Sequence, residues 1–289
     1  MSSEVIVAGT KRYSVWQRSS DRAPLSSVVP ASKVKISDAS VENLAKVLEL
    51  RKSAKVSGSW QREVGVVPQS AYSEGQYSLK FKNGKTLTVK ETFAEIGMRV
   101  WDCAPLMSRW FEKGDFVKGR RVLELGSGTG LLGLSCAALG ASHVVLTDLP
   151  SILKTMEANI AFTGYANTCV AQALNWNDIK SVDALKQKFG PFDLIVASDV
   201  LVFANDAQTD GGGGLIQALT HLADPSSTEI LMGCNKNRHG FLVGFYANPP
   251  THLFDIEVVG KEECDPEYFS DSVMLYRMRL KPKSSSTDG

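Results

Sequence analysis

Residues 121–134, RVLELGSGTGLLGL, run from an apolar stretch through three alternate glycines into a leucine-rich stretch. A strand, a tight turn and a helix in that order form the first unit of an α/β sheet. In such a sheet a ligand sits beyond the carboxyl ends of the central strands, where a glycine turn admits it close to backbone. The chain after residue 120 continues the alternation. HVVLTD (143–148), CVAQALNW (169–176), DLIVASDV (193–200) and EILMGCN (229–235) read as further strands. Between them lie helical patterns: GLLGLSCAAL closed by Gly140, the run opened by Pro150 with Ile152, Met156 and Ile160, and DALKQKFG. FDIEVVGKEE and SVMLYRMRL read as a closing antiparallel pair. The expectation is a doubly wound, mainly parallel sheet with helices on both faces.

The region before this core divides into two. Residues 1–75 read as an N-terminal extension, partly flexible, with a Ser/Pro stretch at 19–32 and a helix capped by Ser40 that aligns Val41, Leu44 and Leu48. Residues 76–280 form the main domain, and 281–289 a flexible tail. QYSLKFKNGKTLTVKE (76–91) predicts a β-hairpin around Asn83-Gly84, a pair that favours a type I′ turn. Residues 97–112 predict an amphipathic helix with Trp110 and Phe111 in the core. The net charge of +1 gives no global pull toward nucleic acid or an anionic membrane. Five scattered cysteines without a C-x-x-C spacing argue against a disulfide framework or zinc site and for a reducing compartment. Apolar runs stop short of the about 18 residues that a spanning helix needs. A monomeric protein, cytoplasmic or also nuclear, is expected, with no metal.

Two nucleotide motifs fail at the glycine turn. The dinucleotide spacing G-x-G-x-x-G, counted from Gly126, needs glycine at 131, where the chain has Leu131. A P-loop needs Lys-Ser/Thr after the glycines, which is absent. Glu124 stands two residues before the first glycine, awkward for pyrophosphate and suited to a cation. S-adenosylmethionine offers an ammonium, a ribose diol and an adenine without phosphate. Asp148, ending the second strand, is placed to accept the ribose hydroxyls, though a carboxylate there also suits NAD. Asn175-Trp176 and Ser198-Asp199 end later strands on the same rim. Glu124 could equally be a solvated strand-end charge, and Asp199 a helix cap.

At this point the chain resembles a known family. VWDCAPLMSRWFEK, VLELGSGTGLLGLSCAALGA, VVLTDLP, ALNW and DLIVASDV come in the order and spacing of the seven-strand (non-SET) protein lysine methyltransferases. The resemblance implies a Rossmann-like, seven-stranded α/β methyltransferase fold and S-adenosylmethionine as cofactor. It implies a protein substrate such as a chaperone, an AAA ATPase or a translation factor; with the net charge near zero, no nucleic acid or membrane partner is expected. Trp101 resembles the tryptophan that closes over the cofactor; Gly126, Ser127 and Gly128 resemble the cradle of its methionine portion. Asp148 is similar to the ribose ligand, Trp176 to the adenine-side residue, and Ser198 to a small pocket residue. Asp199 resembles the first position of the D-x-x-Y signature at the acceptor site, which implies a catalytic role in orienting the amine. Tyrosine would then stand at 202. The chain has Val202, with Phe203 one position late and without a hydroxyl, followed by the long loop ANDAQTDGGGG. That departure leaves two other functions open: methylation of a small molecule or another side chain, and a weakly catalytic scaffold.

Overall fold

The computed structural model describes residues 75–92, 95–201, 213–236, 245–246, 249–269 and 272–282, together with the strand pairing of residues 5–8 and 11–14. The expected helix after Ser40, most of the 1–75 extension, the loop containing Val202 and Phe203, and the tail after residue 282 lie outside the described residues. Strands β1 (Val5–Ala8) and β2 (Lys11–Ser14) pair antiparallel by themselves. β3 (Gly75–Lys80) and β4 (Thr86–Glu91) form the expected hairpin. Its turn differs from the type I′ expectation. The Gly84 N–H donates to the Phe81 carbonyl and Gly84 alone takes a positive φ, 84°, whereas type I′ needs Asn83 there too. The result is a three-residue loop: a type I turn followed by a left-handed glycine. Glu112 selects it by accepting the N–H groups of Lys82 and Asn83.

The main sheet has seven strands in the order β10-β11-β9-β8-β5-β6-β7. β5 (Arg121–Leu125), β6 (His143–Asp148), β7 (Cys169–Ala173), β8 (Leu194–Ser198) and β9 (Glu229–Asn235) are parallel; β11 (Val273–Leu280) is inserted between β9 and β10 (Phe254–Val258) and runs antiparallel to both. The doubly wound expectation therefore holds. Side chains alternate between the two faces. Val122, Val144, Leu146 and Val196 meet α1 (Cys103–Phe111), α2 (Leu131–Ala138), α3 (Leu153–Thr163) and the β3–β4 hairpin. Leu123, Leu125, Val145, Ile195 and Ala197 meet α4 (Ile179–Phe189) and α5 (Gly213–Leu222).

Two helices differ from expectation. α1 begins at Cys103 rather than near 97, after a 3-10 turn at Ile96–Met98, and all nine of its residues are buried. The turn end of the hairpin, near Lys80, and the segment holding Asp265 and Tyr268 cover the face that an amphipathic helix would give to water. Arg109 is consequently interior, donating to the Lys80 carbonyl, Glu112 and Asp265 at 2.7–3.0 Å. α5 starts inside the glycine run read as loop. A Cβ on Gly214 would fall 3.3 Å from Trp176 and closer still to Asn177, so this helix end must lack a side chain to reach that loop.

Candidate methyltransferase site

The glycine turn leaves β5 with φ of 70° at Gly126 and 54° at Gly128, conformations that glycine takes without a Cβ penalty. Close approach adds a second requirement. A Cβ on Gly128 would lie 2.5 Å from the Gly97 carbonyl oxygen; one on Gly126 would lie 2.6 Å from Val200 and 3.4 Å from the Trp176 ring. The segment after the hairpin thus crosses directly over the turn, and Trp176 and Val200 flank its first glycine. Thr92 closes this crossing segment by donating its N–H to Met98, and Ser151 pins it by donating to Glu95.

Asp148 ends β6 beside the turn, half-buried. Its Oδ2 accepts the Gly128 N–H at 2.8 Å and its Oδ1 the Leu149 N–H at 2.7 Å. Each carboxylate oxygen has a second lone pair, so one pair per oxygen remains for a diol. Burial raises its pKa, the two N–H donors lower it, and the charge of Glu95 raises it again. A seat with two carboxylates repels pyrophosphate and suits a neutral ribose with a cationic neighbour.

Glu124 takes neither position left open by the sequence. It shares the face of β5 with Val122, so its side chain runs beneath α2 and is 1% exposed. Its Oε2 accepts the Gly133 N–H at 2.9 Å, one of the first-turn donors of α2 whose N-cap, Gly130, has no side chain. Glu124 is therefore the remote cap of the helix behind the turn. Burial pushes its pKa up to about 8 from 4.5. The unfolded chain releases this proton near pH 4.5, while the folded chain holds it to about 8. The folded state thus binds more protons across that window, and stability falls as pH rises through it. Glu124→Gln is expected to flatten this part of the stability–pH curve in urea unfolding; an unchanged slope would contradict the assignment.

Ser127 is also scaffolding. Its N–H donates to the Thr147 carbonyl at 2.9 Å and its Oγ accepts the Thr147 N–H at 3.0 Å, binding the turn to β6. Trp101 lies two residues before α1 rather than on it, half-buried, with the Arg99 guanidinium 5.0 Å from its ring centroid. Ser198 is half-buried at the end of β8. Asp199 follows at φ 55° and is 6% exposed. Its Oδ2 accepts the Cys103 N–H at 3.0 Å and its Oδ1 the Asn235 N–H at 3.1 Å. It does cap a helix, but α1 across the sheet rather than the one that follows. Burial and this carboxylate push the Cys103 thiol well above its usual pKa.

The fold thus gathers Gly126, Gly128, Asp148 and Trp176 at one end of the sheet and turns Glu124 and Ser127 inward. Gly97, Val200 and Asn159 belong to the site's surroundings and were not singled out in the sequence. Of the three, Asn159 left a signal, a polar residue on the apolar stripe of Met156 and Ile160. A glycine turn, a carboxylate bound to its backbone and a flanking indole share this rim, an arrangement with room for a nucleoside-bearing donor. The chain matches the lysine methyltransferase family over residues 81–245, more than half its length, and belongs to that family.

Relatives agree. The chain is 30% identical to EEF1A lysine methyltransferase 3 of Mus musculus, over 68% of this chain and 79% of that one. It is 32% identical to EEF1A lysine methyltransferase 3 of Xenopus tropicalis, over 74% and 84%. It is also 32% identical to protein N-lysine methyltransferase METTL21A of Mus musculus, over 52% and 66%. The protein is an enzyme that methylates a protein lysine with S-adenosylmethionine, and the seat described above fits that donor.

Proposed function

We propose that this enzyme methylates a lysine of a translation elongation factor, with the donor seated on Gly126 and Gly128, its ribose on Asp148 and its adenine side toward Trp176. The carrying observation is Asp148, whose two oxygens each accept one backbone N–H, from Gly128 and Leu149, and each keep a second lone pair. Two relatives named for EEF1A support the acceptor. When bound, S-adenosylmethionine supplies an electrophilic methyl on a sulfonium. The chain's task is to exclude water, hold the amine in line and favour its neutral form. Trp101 and Ser198 line the cofactor side, and Glu124 supports it by capping α2. Asp199 is the acceptor-side carboxylate: its two N–H partners fix the rim, and its remaining lone pairs orient the amine. The five cysteines are buried free thiols, which supports a reducing compartment, cytoplasmic or nuclear; the enzyme acts there as a monomer.

The test incubates the protein and tritiated S-adenosylmethionine with purified EEF1A, a chaperone or an AAA ATPase, followed by mass spectrometry. Label on an EEF1A lysine is expected. Asp148→Ala should weaken S-adenosylhomocysteine binding about a hundredfold, through two lost charge-assisted hydrogen bonds. Label confined to another acceptor would overturn the elongation-factor reading, and stabilisation by NAD alone would overturn the cofactor seat.

A further inference from the structure

Asn159 lies midway along α3 with none of its surface exposed (0%). A carboxamide buried that deeply must find partners for its donors and its acceptor. Its Oδ1 accepts the Lys90 N–H at 2.8 Å, and its Nδ2 donates to the Lys90 carbonyl at 2.9 Å. The same Nδ2 donates to the Thr129 carbonyl at 2.8 Å. Toward β4 the side chain behaves as a neighbouring strand would, exchanging both bonds with one residue. Its remaining hydrogen goes to the peptide between Gly128 and Gly130.

These bonds close a circuit. From Lys90 the chain runs to Thr92, whose N–H donates to Met98 at 2.7 Å. Gly97, beside Met98, presses its carbonyl against Gly128, where a Cβ would sit 2.5 Å away. Thr129 follows Gly128 and returns the circuit to Asn159. The hairpin forms its own two-stranded sheet, outside the seven-stranded ladder. Its register to the glycine turn therefore depends on side-chain links of this kind. We propose that Asn159 is a positioning residue for methyl transfer, making the hairpin and residues 95–101 part of the cofactor seat. The turn and the segment crossing it then take up their places together. This inference rests on the cofactor seat of the proposed function.

The test is hydrogen exchange with and without S-adenosylhomocysteine, well below the melting temperature, with affinities from calorimetry. In the unsubstituted protein the ligand should slow exchange at the glycine turn and also along β4. Asn159→Asp keeps the shape and the acceptor for Lys90 but sets oxygen against two carbonyls; Asn159→Ala removes all three bonds. Both should bind S-adenosylhomocysteine about tenfold more weakly and lose the ligand-induced protection of β4. Ile160→Val weakens the same helix without touching these bonds and should bind and protect as the unsubstituted protein does. Ligand protection confined to the turn in the unsubstituted protein would overturn the proposal, a result needing no variant. So would unchanged affinity in Asn159→Asp. An unsubstituted protein that fails to bind S-adenosylhomocysteine would instead overturn the functional reading, and this inference with it.

Discussion

Gly128→Ala is expected to abolish S-adenosylhomocysteine binding and to lower stability by about 2–4 kcal/mol. Two costs combine. Alanine at φ 54° is strained, and its Cβ would sit 2.5 Å from the Gly97 carbonyl, a backbone atom with no rotamer to yield. Relief requires the turn and the crossing segment to part, and a shift of about 1 Å in such a seat costs on the order of a hundredfold in function. Gly84→Ala separates the two costs, because its φ of 84° is similar but a Cβ there meets nothing within 4 Å. That variant should lose about 1–2 kcal/mol and bind ligand normally. Calorimetry and urea unfolding of the pair decide the matter. Equal binding by Gly128→Ala and Gly84→Ala would remove the close approach as an explanation.

Asp199→Ala carries the second large effect. It strands the Cys103 and Asn235 N–H groups, at about 1–3 kcal/mol each, and frees the α1 N-terminus from the end of β9. Methylation should become undetectable. Asp199→Asn separates rim from charge: asparagine tolerates the left-handed backbone and its Oδ1 still accepts one N–H. It should fold with roughly half the stability loss and bind S-adenosylhomocysteine about as tightly as the unsubstituted protein. Its kcat should fall by about a hundredfold or more, as for loss of one transition-state contact. A folded Asp199→Asn enzyme with unaltered kcat would reduce Asp199 to a cap.

Strand patterns from Arg121 onward were legible because buried parallel strands are continuous apolar runs, and the antiparallel β10–β11 pair was equally plain. The glycine turn itself was legible because three alternate glycines follow a strand pattern and precede a helical one. What escaped was long-range. The direction of Glu124 depends on which face of β5 it shares with Val122, a parity visible in sequence only once the helix covering that face is known. The complete burial of α1 depends on a hairpin end and on the segment around Asp265 and Tyr268, both far away in sequence. α5 was hidden because Gly213 and Gly214 read locally as loop, whereas Gly214 answers a contact with Trp176 and Asn177. Asp199 was read as a cap or an acceptor carboxylate, and the structure shows the cap acting across the sheet on α1.

The insertion of β11 between β9 and β10 has a consequence for synthesis on the ribosome. β5 to β9 emerge before β10 and β11, in an order that allows each to pair as it appears. β9 then waits with an open edge while β10 emerges without its partner, until Val273–Leu280 arrives to fill the slot. An unpaired edge beside a formed sheet is a template for other nascent chains. A stop codon before Val273 would therefore spare the glycine turn, Asp148 and Trp176 and still leave the chain prone to aggregate.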